Sequence, residues 1–157
     1  MTIEKRVITL LTNAQKTLAT AESCTGGLLS NVLTNVSGSS KVFQLGVVTY
    51  ADEIKSKVLK VPAKLIKKHG AVSRPVAIAM ANQVRRLSQT DFGIGITGIA
   101  GPTGATKNKP VGLVFIAVSG RQNTSCSKNL FKGNRLQVKN QSVQKALSML
   151  IKKIRSL

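Results

Sequence analysis

Apolar residues recur along this 157-residue chain with two different spacings. Over residues 2–15 they lie three and four positions apart, which predicts an amphipathic helix. Short apolar segments rich in β-branched residues predict strands instead. These predicted strands lie at 17–23, 43–50, 92–98, 111–120 and 124–133. The fourth is apolar almost throughout, as expected for a strand buried on both faces, and the more polar fifth is typical of an edge strand.

Further helical patterns lie between the predicted strands. They cover 28–36, 55–59, 62–69 and 75–89, and a last helix runs from Asn134 onward. Ser73 and Pro75 suit the cap and the first turn of the helix that follows them. Because helices alternate with strands and no linker interrupts them, we expect one α/β domain over residues 1–157. Its predicted architecture is a three-layer α/β/α sandwich around a mixed, mostly parallel sheet of about five strands.

The charge of the chain is strongly unbalanced. Twenty-four Lys and Arg residues stand against five Asp and Glu, which gives a formal net charge of +19. Such a field concentrates anions, either a phosphorylated small molecule or a nucleic-acid backbone. Alternatively, the charge reflects only solvated faces that are rich in lysine and has no particular partner. No basic tail is present, and aromatic residues make up only 3% of the chain, so few side chains can stack on bases. We therefore expect a small phosphorylated nucleotide as partner and only weak, non-specific binding of nucleic acid.

Several classes of site are poorly supplied with residues. The chain has one histidine, five acids and two cysteines, too few for a metal hydrolase or a disulfide framework. We therefore expect neither a metal nor a cofactor. The histidine, His69, lies among lysines and is expected at a helix end rather than in a catalytic triad. Glu4 and a short apolar stretch do not suit a signal peptide, and no apolar run matches a membrane span, so we expect a cytoplasmic protein with no membrane partner.

The first candidate site is the stretch 21–27, AESCTGG, between a predicted strand and a predicted helix. A hydroxyl at Ser23 can attack a carbonyl carbon there, while the backbone amides of Thr25, Gly26 or Gly27 stabilise the resulting oxyanion. Alternatively, Ser23 only caps the helix and the glycines only make a turn. Cys24 is a rival nucleophile, but adjacent side chains diverge, so we expect only one of the two to face the site.

The second candidate site follows the next predicted strand, at 49–55, TYADEIK. A lysine that is neutral can take the proton of a serine hydroxyl, and burial in a positively charged protein favours the neutral form. Lys55 is the candidate for this role, and the Tyr50 hydroxyl is a candidate to relay or donate a proton. The alternatives are that Tyr50 packs and that Lys55 is one of many solvated lysines.

The third candidate site is a Gly-rich turn after the third predicted strand, at 97–104, TGIAGPTG. Such a turn offers backbone amides and hydroxyls to an anionic ligand. It matches neither the dinucleotide-binding glycine pattern nor the P-loop pattern.

Five stretches together resemble the CinA C-terminal-domain family of nicotinamide-nucleotide amidohydrolases, in family order and spacing. They read TAESCTGG, GVVTYADEIKSKVL, HGAVSRPVAIAMA, GITGIAGPTG and KPVGLVFIAV. The resemblance implies an α/β/α fold, a homodimer, and hydrolysis of nicotinamide mononucleotide to nicotinate mononucleotide and ammonia in pyridine nucleotide recycling.

The resemblance also implies roles for individual residues. Ser23 would be the nucleophile, Lys55 its general base and Tyr50 a proton-relay or positioning group. Arg135 matches a family arginine that would help to bind the substrate phosphate. Four residues of the third candidate site would line the nucleotide pocket: Thr97, Gly98, Ala100 and Gly101.

The chain departs from the family pattern at four positions. Asn134 stands where an aspartate is usual, Lys139 where a second arginine is common, Arg74 where an acid is frequent, and Ala105 where a glycine is. The first two lie on the expected phosphate side, so they bear on substrate preference and rate. Two alternatives to the amidase remain open: a non-catalytic relative that binds nucleotide or nucleic acid, and an amidase for another small carboxamide.

Overall fold

The predicted alternation of strands and helices is present in the computed structural model, which describes residues 1–157. The elements are α1 (Ile3–Asn13), β1 (Leu18–Glu22), α2 (Leu28–Thr34), a 3₁₀ turn (Ser39–Lys41), β2 (Phe43–Val48), α3 (Asp52–Leu59), α4 (Ala63–His69), α5 (Arg74–Ser88), β3 (Phe92–Gly98), β4 (Leu113–Ser119), β5 (Thr124–Leu130) and α6 (Arg135–Arg155). The predicted α/β fold class is confirmed.

All five strands form one sheet in the order β2-β1-β3-β4-β5. β1 is parallel to both β2 and β3, β4 is antiparallel to β3, and β5 is antiparallel to β4. Four strands therefore point the same way and only β4 runs against them, so the predicted mixed, mostly parallel sheet is confirmed. Every residue of β4 is buried, and β5 is an edge strand, as the apolar pattern predicts.

Helices cover both faces of the sheet, because successive residues of a strand point to opposite faces. Leu18 of β1 joins the large apolar core that includes residues of α1, α2 and α6. Ala19 and Ala21 join the core on the other face, with residues of α5 and the end of α3. On that second face α5 lies directly on β3, since a Cβ at Gly95 would stand 2.5 Å from the Ala77 carbonyl oxygen.

The boundaries of some elements differ from those expected. The second strand ends at Val48 rather than at residue 50, and α3 begins at Asp52, earlier than residue 55. Asp52 and Glu53 lie in the first turn of α3, where negative charge is favourable. Ser73 is the N-cap residue of α5, but its hydroxyl donates to the Gly70 carbonyl (2.8 Å) instead of accepting from the helix.

None of the helices combines the length and the apolar composition needed to cross a bilayer.

Candidate active site at the carboxyl edge of the sheet

The three candidate segments meet at one edge of the sheet, because β1, β2 and β3 all end there. At this edge the end of β1 is hydrogen-bonded both to β3 and to the residue that follows β2. The Ser23 N–H donates to the Ile96 carbonyl of β3 (3.0 Å), and the Thr49 N–H donates to the Glu22 carbonyl (2.9 Å). The carboxyl ends of parallel strands are the usual place for a ligand site in an α/β sheet.

Ser23 and Cys24 are directed to opposite sides of the sheet. Cys24 is buried in the large core with α1, α2 and α6, and burial raises the pKa of its thiol to about 12. Ser23 is also nearly buried, but its hydroxyl meets a side chain from α3 on the other side. A thiol with a raised pKa carries little thiolate and is a poor nucleophile, so the geometry favours Ser23.

The side chain from α3 that meets the Ser23 hydroxyl is Lys55, which is only 1% exposed. Its Nζ lies 3.1 Å from Ser23 Oγ, 2.9 Å from the Thr49 carbonyl oxygen and 3.1 Å from the Tyr50 carbonyl oxygen. Carbonyl oxygens can only accept, so they take two of the N–H bonds of the amine. The remaining position on the nitrogen faces Ser23, and it is a lone pair whenever Lys55 is neutral.

Burial lowers the pKa of the Lys55 ammonium, because the charged form is poorly solvated inside the protein. Asp52 opposes this change, since its carboxylate lies 3.8 Å from Nζ. The Asp52 side chain is 64% exposed, so solvent weakens its effect, and the net direction is downward. A buried lysine with a lowered pKa can act as a base toward Ser23.

Thr49 contributes a second unusual feature beside Lys55. Its hydroxyl is buried and is the only buried side-chain oxygen or nitrogen without a hydrogen-bond partner. Burying an unpaired hydroxyl costs free energy. A water or a substrate group that reached this hydroxyl would remove that cost.

Glu22 holds the turn that carries Ser23, and the sequence reasoning missed it. This fully buried carboxylate accepts hydrogen bonds from the Thr25 hydroxyl (2.7 Å), the Leu29 N–H (2.9 Å), the Ser30 N–H (3.0 Å) and the Ser30 hydroxyl (2.7 Å). It therefore fixes both the turn and the first residues of α2. The available signal was an acid within an apolar strand, because an unpaired charge is not tolerated there.

The same contacts define which groups of residues 23–27 remain for a ligand. The Thr25 hydroxyl is occupied by Glu22, and the Gly26 N–H donates to the Ser23 carbonyl (3.0 Å). The backbone N–H groups of Cys24, Thr25 and Gly27 donate to no backbone carbonyl. Gly26 and Gly27 have positive φ angles of 61° and 96°, which glycine adopts without strain. Of the three amide donors expected from the sequence, Thr25 and Gly27 remain candidates and Gly26 does not. The Cys24 amide is a further candidate.

Tyr50 and Arg135 form a second cluster at this edge. Tyr50 is 58% exposed, and its hydroxyl accepts a hydrogen bond from Arg135 Nη2 (2.9 Å). Arg135 Nη1 donates to the Gly101 carbonyl (2.8 Å), so one guanidinium joins the second and third candidate segments. The only hydrogen bond between Tyr50 and Lys55 runs through the Tyr50 carbonyl.

The Gly-rich segment is held mainly by its own packing. The Thr97 hydroxyl is buried and donates to the Ala71 carbonyl (2.9 Å), and Ala100 belongs to the large core. A Cβ at Gly98 would stand 2.7 Å from a methyl carbon of Val114 on β4, so the strand pair requires glycine there. Gly101 has a φ of +82° and reaches the cluster through its carbonyl. The side chains of Thr97 and Ala100 thus make contacts inside the protein that hold this segment in place. Their expected contact with the substrate stays a prediction.

Three of the residues that depart from the family pattern have identifiable surroundings in the structure. Asn134 is the N-cap: its side chain accepts from the Gln137 N–H (3.0 Å), and Gln137 Oε1 accepts from the Asn134 N–H (2.8 Å). Asn caps a helix about as well as Asp, so this departure leaves the start of α6 intact. Lys139 Nζ would lie 3.6 Å from a Cβ at Gly26, which places a cation beside the Ser23 turn. Arg74 donates to the Cys126 carbonyl of β5 (2.7 Å).

A family model described as the CinA C-terminal domain matches residues 1–154. The chain belongs to this family. A CinA-like protein of Koribacter versatilis is 51% identical over 138 residues, which are 88% of this chain and 33% of that protein. A CinA-like protein of Syntrophus aciditrophicus is 50% identical over 150 residues, which are 95% of this chain and 36% of that protein. The chain thus spans about a third of the length of these relatives.

Solved structures of family members superpose along nearly the whole chain. The competence/damage inducible protein CihA from Agrobacterium tumefaciens gives a TM-score of 0.93 at 39% identity, covering 95% of this chain and 92% of that one. A CinA superfamily protein from Klebsiella pneumoniae gives a TM-score of 0.95 at 34% identity, covering 99% and 97%. These names state a family and an induction by competence or damage, and they name no reaction.

Proposed function

We propose that this CinA-family chain is an amidohydrolase that converts nicotinamide mononucleotide and water to nicotinate mononucleotide and ammonia. The observation that carries the proposal is the buried Lys55 amine 3.1 Å from the Ser23 hydroxyl, with its other two hydrogen bonds taken by backbone carbonyls. The substrate is inferred from the family resemblance of the motifs and from the strongly positive chain.

In the first step neutral Lys55 accepts the proton of Ser23 as Oγ bonds to the carboxamide carbon. The carbonyl electron pair moves onto its oxygen, and this oxyanion needs preorganised donors. The N–H groups of Cys24, Thr25 and Gly27, which donate to no backbone carbonyl, lie on the residues adjoining the nucleophile, which makes them the candidate donors.

In the second step the tetrahedral intermediate collapses. The carbon–nitrogen bond breaks, and the nitrogen takes the proton held by Lys55, directly or through the Tyr50 hydroxyl, to leave as ammonia. Ser23 is then an ester of the nicotinate carboxyl group. Lys55 is neutral again and ready for the second half of the reaction.

In the third step Lys55 takes a proton from a water molecule that attacks the ester carbon. The ester bond breaks, Ser23 recovers its proton from Lys55, and the nicotinate carboxylic acid gives its proton to the released ammonia, so that the products are a carboxylate and an ammonium ion. One amide and one water are consumed, and one carboxylate and one ammonium ion are formed.

The test is incubation of purified protein with nicotinamide mononucleotide, with ammonia and nicotinate mononucleotide measured together. Equal amounts of both products are expected from the wild type and neither from Ser23→Ala. A parallel sample with a chelator should keep full activity, since the proposed chemistry uses only side chains and backbone N–H groups of the protein. Parallel incubations with nicotinamide and with the unphosphorylated nucleoside decide between the nucleotide and another small carboxamide as the substrate.

A further inference from the structure

Arg135 is expected from the family resemblance to bind the substrate phosphate, but its contacts point to another action. Its guanidinium holds the Tyr50 hydroxyl and the Gly101 carbonyl at 2.9 and 2.8 Å. Arginine carries N–H donors and no acceptor, so the direction of the Tyr50 bond is fixed. The phenolic oxygen accepts, and the phenolic proton remains free for another partner.

That proton has no acceptor within the protein, because Arg135 is the only hydrogen-bond partner of the Tyr50 hydroxyl. The hydroxyl is therefore a donor without an acceptor at the edge of the sheet where Ser23 lies. A hydrogen bond received from a cation polarises the phenol and strengthens its own O–H as a donor.

Arg135 is exposed, but its backbone is fixed by the helix cap. It is the first residue of α6, directly after the N-cap Asn134, which is locked by the reciprocal bonds with Gln137. The Gly101 carbonyl fixes the other edge of the guanidinium. An arginine held at both ends can hold an otherwise exposed tyrosine ring in one orientation.

We propose that Arg135 acts through Tyr50: it fixes the phenol ring and leaves the hydroxyl as a donor to the carboxamide of the substrate. Arg135 is then a positioning residue, and its effect does not depend on a phosphate group. This inference rests on the proposed amidase function, and it separates two roles for the same arginine. Phosphate binding would affect nucleotide substrates alone, whereas positioning of Tyr50 affects any substrate with the same carboxamide.

The chain allows a direct measurement, because Tyr50 is its only tyrosine and it has no tryptophan. Tyrosine fluorescence anisotropy therefore reports the motion of this ring alone. Arg135→Ala should give faster local motion of the ring. The matched control is Arg155→Ala, which removes an exposed arginine from the other end of α6 and should leave the anisotropy unchanged. An Arg135→Ala protein that is folded by circular dichroism and has wild-type anisotropy would overturn the proposal.

The kinetic arm compares nicotinamide mononucleotide with the unphosphorylated nucleoside. Arg135→Ala should lower kcat by a similar factor on both substrates, roughly 10²-fold, as expected for a misplaced catalytic group. Adding Tyr50→Phe should cause little further loss, since both changes remove the same donor. A loss confined to KM for the nucleotide would show phosphate binding instead and overturn the proposal.

Failure of the amidase proposal is distinguishable from failure of this one. If wild-type protein releases no ammonia from either substrate, the amidase function is wrong, and so is the part of the inference that concerns the carboxamide. The anisotropy comparison still decides whether Arg135 holds Tyr50.

Discussion

Lys55 Nζ lies 3.1 Å from Ser23 Oγ, although the two residues are 32 positions apart in the chain. Ser23 follows β1 and Lys55 lies in α3 after β2, so the parallel pairing of these two strands brings them together. The pairing also supplies the Thr49 and Tyr50 carbonyls that take the other two bonds of the amine. The sheet thus buries a lysine and lowers its pKa, as the proposed role of Lys55 as a base requires.

Activity should rise with pH through the ionisation of Lys55. Below its pKa the ammonium has no lone pair for the Ser23 proton, and above it the neutral amine does. Burial lowers this pKa from the ordinary value of 10.5, so the rise should occur below that value. The measurement is kcat/KM against pH for the wild type.

Lys55→Arg is the matched variant for the same prediction. It keeps the positive charge but cannot lose a proton in this range, so it should be inactive at every pH. Lys57→Arg, on the same helix and exposed, should behave as the wild type. An active Lys55→Arg enzyme would remove Lys55 from the role of base.

Ser23→Ala should lower kcat by several orders of magnitude while the protein stays folded. Cys24→Ala should keep most activity, because the Cys24 thiol is buried in the core on the other side of the sheet. Trapping of a labelled acyl group, followed by peptide mass spectrometry, should place it on Ser23. The assignment would be reversed by an inactive Cys24→Ala and an active Ser23→Ala.

Glu22→Gln should lower the free energy of unfolding. The amide group cannot accept at its nitrogen, so at least one of the buried donors of Thr25, Leu29 and Ser30 loses its partner. An unsatisfied buried donor costs about 1–3 kcal/mol. Urea denaturation measures the difference against Glu53→Gln, which should lose much less stability, because the Glu53 side chain is 72% exposed and solvent weakens its interactions with Lys57 and the start of α3. Equal stability of the two variants would show that the Glu22 contacts do not hold the Ser23 turn.

Asn134→Ala should destabilise the protein by about 1 kcal/mol, since a helix cap is lost. Asn134→Asp restores the usual family residue and keeps the cap, so it should have nearly wild-type stability and kcat. Thermal unfolding and ammonia release measure the two effects separately. A large gain of activity in Asn134→Asp would mean that the departure affects catalysis rather than only helix capping.

The sequence predicts the fold well because its signals are local. The fully buried β4 and the polar edge strand β5 follow directly from their apolar patterns, and the glycines between β1 and α2 mark the turn at Ser23. The contacts of polar side chains are less predictable, because they depend on which residues the sheet brings together.

Three residues show this limit. Glu22 was not singled out, since its four donors lie on a turn and a helix whose arrangement the pattern does not specify. For Thr97 the structure adds a hydrogen bond from its hydroxyl to the Ala71 carbonyl, and its expected place at the nucleotide stays a prediction. For Arg135 the structure adds the hydrogen bonds to Tyr50 and Gly101, and its expected contact with the substrate phosphate stays a prediction.

The net charge of +19 allows a final test between a small phosphorylated substrate and a nucleic acid. If the field mainly gathers a nucleotide, added salt should raise KM modestly and leave kcat nearly constant, because screening weakens the approach of the anion but not the chemistry.

Duplex DNA should bind weakly and be released by about 0.2 M salt, since an affinity that depends on phosphate contacts alone falls steeply with salt. Few aromatic side chains are available to stack on bases, with 3% aromatic residues in the chain. The measurements are steady-state kinetics and fluorescence binding to a labelled duplex over the same salt series. A duplex complex that persists at 0.2 M salt, in a protein that releases no ammonia from the nucleotide, would favour a nucleic-acid-binding role over the amidase.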